Sequence, residues 1–229
     1  MRGHSATRIC RLMIAGGLGA GVVLGAGLGG CSLVGAVAEN YRKDATKTVE
    51  AESDVLAGRS FAVFVSAPRS VQGDFPLLVE TLATRAVDRL SAGTNVPPAG
   101  GYVPAASVLR YQYNTPAWAL APKAELAEAM GGVDRLVLIE VTEYRLHAPG
   151  DAYTWDAVAA ALVSVYDPRS GTPEIAIFER TVQVKFPDKR GDGPEQIRRE
   201  VVQSALLSRL IDRATWPFYA HEEPYYPTY

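Results

Sequence analysis

Apolar positions along this chain fall into three patterns, and each predicts a different piece of architecture. Leu12 to Leu28 is an unbroken, uncharged run of Leu, Ile, Val, Met, Ala and Gly. Arg59 to Val65, Arg135 to His147, Trp155 to Tyr166 and Glu174 to Phe186 are runs rich in β-branched and aromatic residues, which read as strands. Leu78, Leu82, Ala86 and Leu90 recur at helical spacing, with Val79, Ala83 and Val87 beside them. Val201, Ala205, Leu206 and Ile211, with Leu207 and Leu210, repeat that pattern near the end.

Turn and cap residues punctuate these runs. Asp74 is placed to cap the first helix, with Pro76 in its opening turn. Tyr102-Val103 reads as a second short strand, Pro104 to Tyr113 as a short helix, and Tyr111 to Trp118 as an aromatic turn. Lys123 to Met130 is a helix stopped by Gly131-Gly132. Asp167-Pro168-Arg169-Ser170-Gly171 is hairpin-loop chemistry. Ile175, Ile177, Val182 and Val184 alternate along the last strand, and Glu179-Arg180 reads as a bulge between them. Asp192, with Glu195 three residues on, matches a capping box for the final helix. The order predicts an α/β fold: a mixed sheet with a parallel start and an antiparallel three-strand meander, flanked by helices.

The Leu12–Leu28 run is distinguished by its flanks. Arg2, Arg8 and Arg11 precede it with no acidic residue, and Leu28-Gly29-Gly30-Cys31 follows. A basic start, an apolar stretch and small residues before a cut make a secretory signal. The last four residues resemble the lipobox of bacterial lipoproteins, in which a Leu and two small residues precede a Cys. The resemblance implies that a signal peptidase recognises Leu28, Gly29 and Gly30, and that the Cys31 thiol is acylated and becomes the mature N-terminus. Ser32 in place of Asp after that cysteine implies sorting to the outer membrane, facing the periplasm. The alternative is an uncleaved membrane anchor; at 17 residues the run is at the short end of a span. Gly25 to Gly30 spells GxGxxG, but that pattern marks a dinucleotide site only between a strand and a helix. GxxxG spacings such as Gly17 to Gly21 match helix-dimer contacts, and in a removed segment they are low complexity.

Processing changes what composition implies. Loss of three arginines takes the net charge from −2 to about −5, which disfavours a nucleic-acid partner. Cys10 leaves with the signal and Cys31 is the lipid site, so the domain has no thiol, disulfide or cysteine metal site. The expected organisation is a signal peptide over 1–30, a lipidated N-terminus and charged tether over 31–58, the α/β domain over 59–214, and an irregular aromatic tail over 215–229.

The domain resembles the periplasmic α/β domain shared by CsgG-like lipoproteins and the N-terminal domain of TolB. The likeness rests on the Phe61–Val65 strand feeding a helix. It rests also on Leu126-Ala-Glu-Ala-Met-Gly-Gly-Val-Asp134-Arg135 leading into Leu136–Val141, and on the hairpin Val163-Ser-Val-Tyr-Asp167-Pro-Arg-Ser-Gly171. It spans about Phe61 to Ala214. TolB's propeller and CsgG's pore-forming hairpins have no counterpart here. The resemblance implies an envelope lipoprotein that binds other envelope components, and it carries over no catalytic residue.

The residues agree in showing little chemistry. His147 and His221 lack converging ligands, and His221-Glu222-Glu223 reads as a solvated run. Glu140 and Glu143, three apart on a strand, are expected on opposite faces and so not as an acid pair. HExxH, GxSxG and phosphate-loop motifs do not occur. The aromatics Tyr111, Tyr113, Trp118, Trp216, Phe218 and Tyr219 are the candidate partner surface; the alternative is that Trp216 and Phe218 fold back on the core. The expectation is a non-enzymatic interaction or assembly module without cofactor, metal or small-molecule substrate. It would be held on a membrane by lipid and bound to an envelope protein or to itself. Alternatives are an accessory subunit of a transporter or secretion machine, and a wall or glycan hydrolase.

Overall fold

The computed structural model describes residues 46–94, 101–189 and 191–224. The Leu28–Cys31 processing motif, Tyr41–Lys43 and Tyr225 onward lie outside them. The elements are β1 (Thr46–Val49), β2 (Phe61–Ser66), α1 (Arg69–Asp74), α2 (Leu78–Gly93), α3 (Ala105–Asn114), α4 (Lys123–Ala129), β3 (Arg135–Arg145), β4 (Ala157–Tyr166), β5 (Ala176–Phe186), α5 (Arg199–Thr215) and β6 (His221–Pro224). Short 3₁₀ turns occupy Trp118–Leu120 and Trp216–Phe218.

The fold is α/β, as the pattern predicts. A four-stranded sheet in the order β2-β3-β4-β5 has one parallel pair, β2 with β3, and two antiparallel pairs. Phe61, Val63 and Val65 of β2 and Val137, Ile139 and Val141 of β3 point to one face, where α2 and α5 close the main core. Ala62, Phe64 and Leu136 point to the other, under α3, α4 and the Trp118 turn. Two-sided burial explains why the first halves of these strands are apolar without alternation. Ladder pairing with β2 ends at Ser66 opposite Glu140, and there β3 begins to alternate, with one ladder neighbour remaining.

Several local expectations are corrected. Asp74 does not cap α2; it is the last residue of α1, and α2 starts after Leu77 without a side-chain cap. Tyr102-Val103 makes a single parallel bridge with Phe61 and no strand. Tyr111 and Tyr113 belong to the last turns of α3, so only Trp118 sits in the turn. The bulge of β5 is at Ile177, left between the Val165–Phe178 and Tyr166–Ala176 pairs, whereas Glu179 and Arg180 pair regularly. Ile175 and Ile177 accordingly lie exposed, and Phe178 takes the inward position. Asp192 and Glu195 precede α5 by several residues, and the helix begins after Arg198 with no side-chain cap. Its buried face uses Val202; Val201 is exposed.

Gly131 and Gly132 terminate α4 as the pattern demands. Both have positive φ (84° and 76°), a conformation costly for any residue with a Cβ. Their amides bond back to the Glu128 and Ala127 carbonyls at 2.9 and 2.8 Å, satisfying the helix end.

The ordered fold extends beyond 59–214 on both sides. Within the segment read as tether, Thr46–Val49 is a strand and Leu56 is fully buried in the main core. Within the segment read as irregular tail, Phe218 is buried against Phe178 and His221–Pro224 is a strand. These two outlying strands pair with each other, antiparallel, as a separate two-stranded ribbon.

Candidate functional site

The ribbon is where the chain coming from Cys31 meets the domain. Thr46 is opposite Pro224, Lys47 opposite Glu223, Thr48 opposite Glu222 and Val49 opposite His221. The outer residues Thr46, Thr48, Glu222 and Pro224 are exposed, and the Thr46 hydroxyl donates to a Glu222 carboxylate oxygen at 3.3 Å. Alternation puts Glu223 inward, where it is buried.

A buried carboxylate needs compensation. Arg213, from the last turn of α5, donates from Nη1 to Glu223 Oε1 at 3.1 Å, and His221 Nε2 lies 3.4 Å from the same oxygen. The His221 ring stacks on Trp216, with centroids 4.4 Å apart, and its Nδ1 is 3.0 Å from the Tyr219 carbonyl. With Nδ1–H donating to that carbonyl, a neutral ring has only an acceptor at Nε2; a protonated ring would donate to Glu223. His221-Glu222-Glu223 is therefore no solvated run: its first and third residues are built into the fold. Burial raises the nearby Asp212 carboxyl, and Arg89, His221 and Arg213 oppose that shift.

The chain after β1 is fastened to the same corner. Arg180 of β5 pairs with Glu52. The Ser53 amide donates to the Pro217 carbonyl at 2.9 Å, and Arg135 Nε donates to the Val55 carbonyl at 3.1 Å. A cavity of about 130 Å³ among Val49, Glu52, Arg180, Arg213, Trp216 and His221 is lined by groups already paired with one another.

The six aromatics singled out in the sequence do not form one surface. Tyr111 and Trp118 pack on Phe64, at centroid distances of 6.3 and 5.2 Å, on the α3–α4 face of the sheet. Phe218 and Tyr219 belong to the main core on the opposite face, and Trp216 stacks beside them on His221. Tyr113 alone of the six is largely exposed. Tyr219 is held by its hydroxyl, 3.0 Å from Thr215 Oγ1, and burial raises its phenol.

Glu140 and Glu143 lie on the same face, contrary to their spacing. Thr142 is an extra residue: Val141 pairs with Ala161 and Glu143 with the adjacent Ala160. That bulge reverses the side-chain parity of β3. Glu143 is engaged at 2.7 Å by Arg145, which also reaches Asp156. His147 is 2.9 Å from the Thr154 carbonyl through Nδ1 and stacks on Trp155. Among the described residues, no group of three or more His, Cys, Asp or Glu is placed to hold a metal ion. Sequence reasoning missed the inward turn of Glu223; the signal was the alternation of His221-Glu222-Glu223-Pro224, readable only once a partner strand was known.

No helix among the described residues is long and apolar enough to cross a membrane. No known family model matches the chain, and no curated protein is similar to it in sequence. Solved structures similar to it include a lipoprotein from Neisseria meningitidis, at 16% identity and TM-score 0.43, over 67% of this chain and 96% of that one. PelC from Paraburkholderia phytofirmans, crystallised as a dodecamer, matches at 14% identity and TM-score 0.45, over 77% and 99% of the two chains. A protein from Xanthomonas campestris matches at 9% identity and TM-score 0.37, over 74% and 87%. At these identities and scores the likeness says nothing of activity or partner.

Proposed function

We propose that this chain is a lipid-anchored envelope lipoprotein whose α/β domain is a non-enzymatic interaction or assembly module. The observation that carries the reading is Leu28-Gly29-Gly30-Cys31 after a basic and then apolar leader. Two or three acyl chains at Cys31 hold a protein on a bilayer where one binds only reversibly, since each buried CH₂ contributes about 0.8 kcal/mol. With Ser32 following, the outer membrane facing the periplasm is the site of action.

The domain's polar clusters support a binding role over a catalytic one. Arg145, Arg180 and Arg213 are held by Glu143 with Asp156, by Glu52 and by Glu223 respectively. The Arg145–Asp156, Arg180–Glu52 and Arg213–Glu223 pairs each tie one segment of the domain to another. The partner is an envelope protein or a second copy of this chain, and an accessory role in a transporter or secretion machine is the narrower form of the same reading.

The test is the Cys31→Ala variant expressed in its own host, with membrane fractionation and intact mass of the mature protein. The expected outcome is loss of the acyl mass and of normal processing. A variant that differs from the parent in mass by the lost sulfur atom alone, with equal membrane retention, removes the anchor. Crosslinking in intact cells then identifies the partner, and failure to capture any neighbour in the envelope counts against the interaction role.

A further inference from the structure

The four-stranded sheet has two edges, and the fold treats them differently. At the β2 edge the Val103 amide donates to the Phe61 carbonyl at 2.9 Å, and Gln112 Nε2 donates to the Val65 carbonyl at 3.0 Å. The chain entering α3, and α3 itself, thus cover the backbone there. β5 forms the other edge and pairs with β4. Its Lys185 carbonyl accepts from Arg209 at 2.5 Å and so points away from β4. Backbone direction alternates along a strand, so the amides and carbonyls of Glu179, Thr181 and Gln183 point outward as well. The side chains of these four residues are exposed, while Val182 and Val184 are buried and Phe178 and Phe186 pack on the main core.

A strand added to this edge must bring outward groups of its own. A second β5, antiparallel and related by a two-fold axis at Val182, does so in one register. Thr181 then faces Gln183 of the second copy, and Glu179 faces Lys185. Moving the axis to Thr181 sets Lys185 against Ile177, the bulged residue. Moving it to Gln183 sets Glu179 against Pro187, which has no N–H to give. The Val182 register also puts an acid directly opposite a base at both ends of the exposed face, a favourable cross-strand pair. On the core face it puts Phe178 opposite Phe186. Arg209 keeps the Lys185 carbonyl and so ends the ladder, while the Lys185 amide remains for the Glu179 carbonyl.

We propose that two copies of this chain pair through β5, joining their four-stranded sheets into one continuous sheet about a two-fold axis at Val182. The proposal rests on the reading of the domain as an interaction module and names its partner as a second copy. The order Glu179, Thr181, Gln183, Lys185 is complementary to its own reverse, which is what a two-fold contact demands. The contact closes on itself, and the covered β2 edges stop the sheet from growing further.

The experiment uses the full chain purified from its own host, in detergent with micelles in excess, and reads the dimer dissociation constant by sedimentation velocity. Glu179 and Lys185 are exposed, so substitutions there spare the fold. The parent is expected to dimerise. Glu179→Lys and Lys185→Glu each set like charges opposite one another at both ends, and each should raise the dissociation constant by about fivefold or more. The double variant reverses the pair and should return to within about twofold of the parent. A monomeric parent overturns the proposal. So does a dimer indifferent to the single variants, or one that the double variant fails to restore.

Register is read by disulfide formation. Chains carrying Thr181→Cys mixed with chains carrying Gln183→Cys should crosslink severalfold faster than either alone, because directly opposed Cα atoms in such a hydrogen-bonded pair lie about 5.5 Å apart, within disulfide reach. Equal rates in the three samples overturn the register, and the proposal with it. Crosslinking in intact cells separates this claim from the one beneath it. A monomeric parent whose captured neighbour is another envelope protein removes the second copy and leaves the interaction module. A monomeric parent with no captured neighbour removes both.

Discussion

Ser60 and Asp134 hold each other across the start of the parallel pair. The Ser60 amide and hydroxyl both donate to Asp134 Oδ2, at 3.1 and 2.9 Å, and the Asp134 amide approaches Ser60 Oγ at 2.9 Å. The other carboxylate oxygen takes Arg169 from the β4–β5 hairpin at 2.8 Å, and Arg169 also donates to the Gly132 carbonyl at 2.6 Å. One aspartate thus joins the entry to β2, the exit from α4 and the hairpin loop. The Gly-Gly-Val-Asp passage and the Asp-Pro-Arg-Ser-Gly loop, separate signals in the sequence, are two halves of one clamp. Asp134→Ala, which leaves the Ser60 donors without their acceptor, is expected to lower stability by about 1–3 kcal/mol in a urea titration. An unchanged midpoint would remove the clamp from the account of the fold.

The same contact gives a pH dependence with a definite sign. The Ser60 hydroxyl is the main cause of a lowered Asp134 pKa; burial opposes it, and the Ser60 amide and Arg169 add to it. A depressed folded-state pKa contributes stability that is complete above the unfolded value, about 3.9, and is lost as pH falls through the folded one. The stability difference between the parent and Asp134→Asn should stay constant from neutral pH to about 5 and shrink below about 4. A gap that persists undiminished at pH 3 would contradict it.

Gly93 closes α2 against the ring of Tyr219. A Cβ at this position would stand 2.3 Å from two ring carbons, far inside contact. Tyr219 cannot readily yield, because its hydroxyl is bonded to fully buried Thr215. Gly93→Ala should therefore destabilise by about 1–3 kcal/mol. Adding Tyr219→Ala should recover part of that loss, so that the double variant is less destabilised than the sum. Additive thermal shifts would show that the helix end relaxes by another route.

What was legible in the sequence depended on whether the pattern needed a neighbour to be read. The face of α2, the Gly131-Gly132 stop and the Asp167–Gly171 hairpin are local, and the order of elements was enough to give the mixed sheet. The misplaced features are those that a partner strand or loop decides. Thr142 is extruded by the register with β4, and this sends Glu143 to the face of Glu140. Asp74 and Asp192 have cap chemistry, yet α2 and α5 start beyond them, where Leu77 and Arg198 turn the chain. In the candidate site, His221 and Glu223 look solvated until β1, 172 and more residues upstream, supplies the strand that turns Glu223 inward.

Arg209 guards the outer edge of the sheet. It donates to the Lys185 carbonyl at 2.5 Å, grips Asp188 through both guanidinium arms at 2.7 and 2.9 Å, and lies over the Phe186 ring. β5 is an edge strand, and exposed backbone groups invite pairing with another chain. Arg209→Ala should lower thermal stability modestly, by about 1 kcal/mol, and raise light scattering on heating more than that loss alone accounts for. Scattering that merely tracks the shifted melting temperature would deny Arg209 an edge-guarding role.

Glu223→Gln should loosen the ribbon while sparing the domain. It removes the charge that Arg213 and His221 face at 3.1 and 3.4 Å, a contribution on the order of 1–2 kcal/mol. Hydrogen exchange should accelerate at the amides of residues 46–49 and 221–223 and stay unchanged at Ile139 and Val163, in the sheet core. Faster exchange throughout would mean that the ribbon supports the whole fold.

The placement of β1 has a mechanical side. Tension applied to the chain that precedes Thr46, as the proposed lipid at Cys31 would apply it, is met first by the ribbon. The pull starts at the open end, so the Thr46–Pro224 pair parts before the Val49–His221 pair, and bonds are loaded one after another in peeling, not all together in shear. Each residue freed lengthens the tether by about 3.4 Å, while Leu56 and the main sheet lie behind the further ties at Glu52, Ser53 and Val55. The ribbon is a short link in series with the main sheet, and parting its strands leaves the four-stranded ladder itself unbroken.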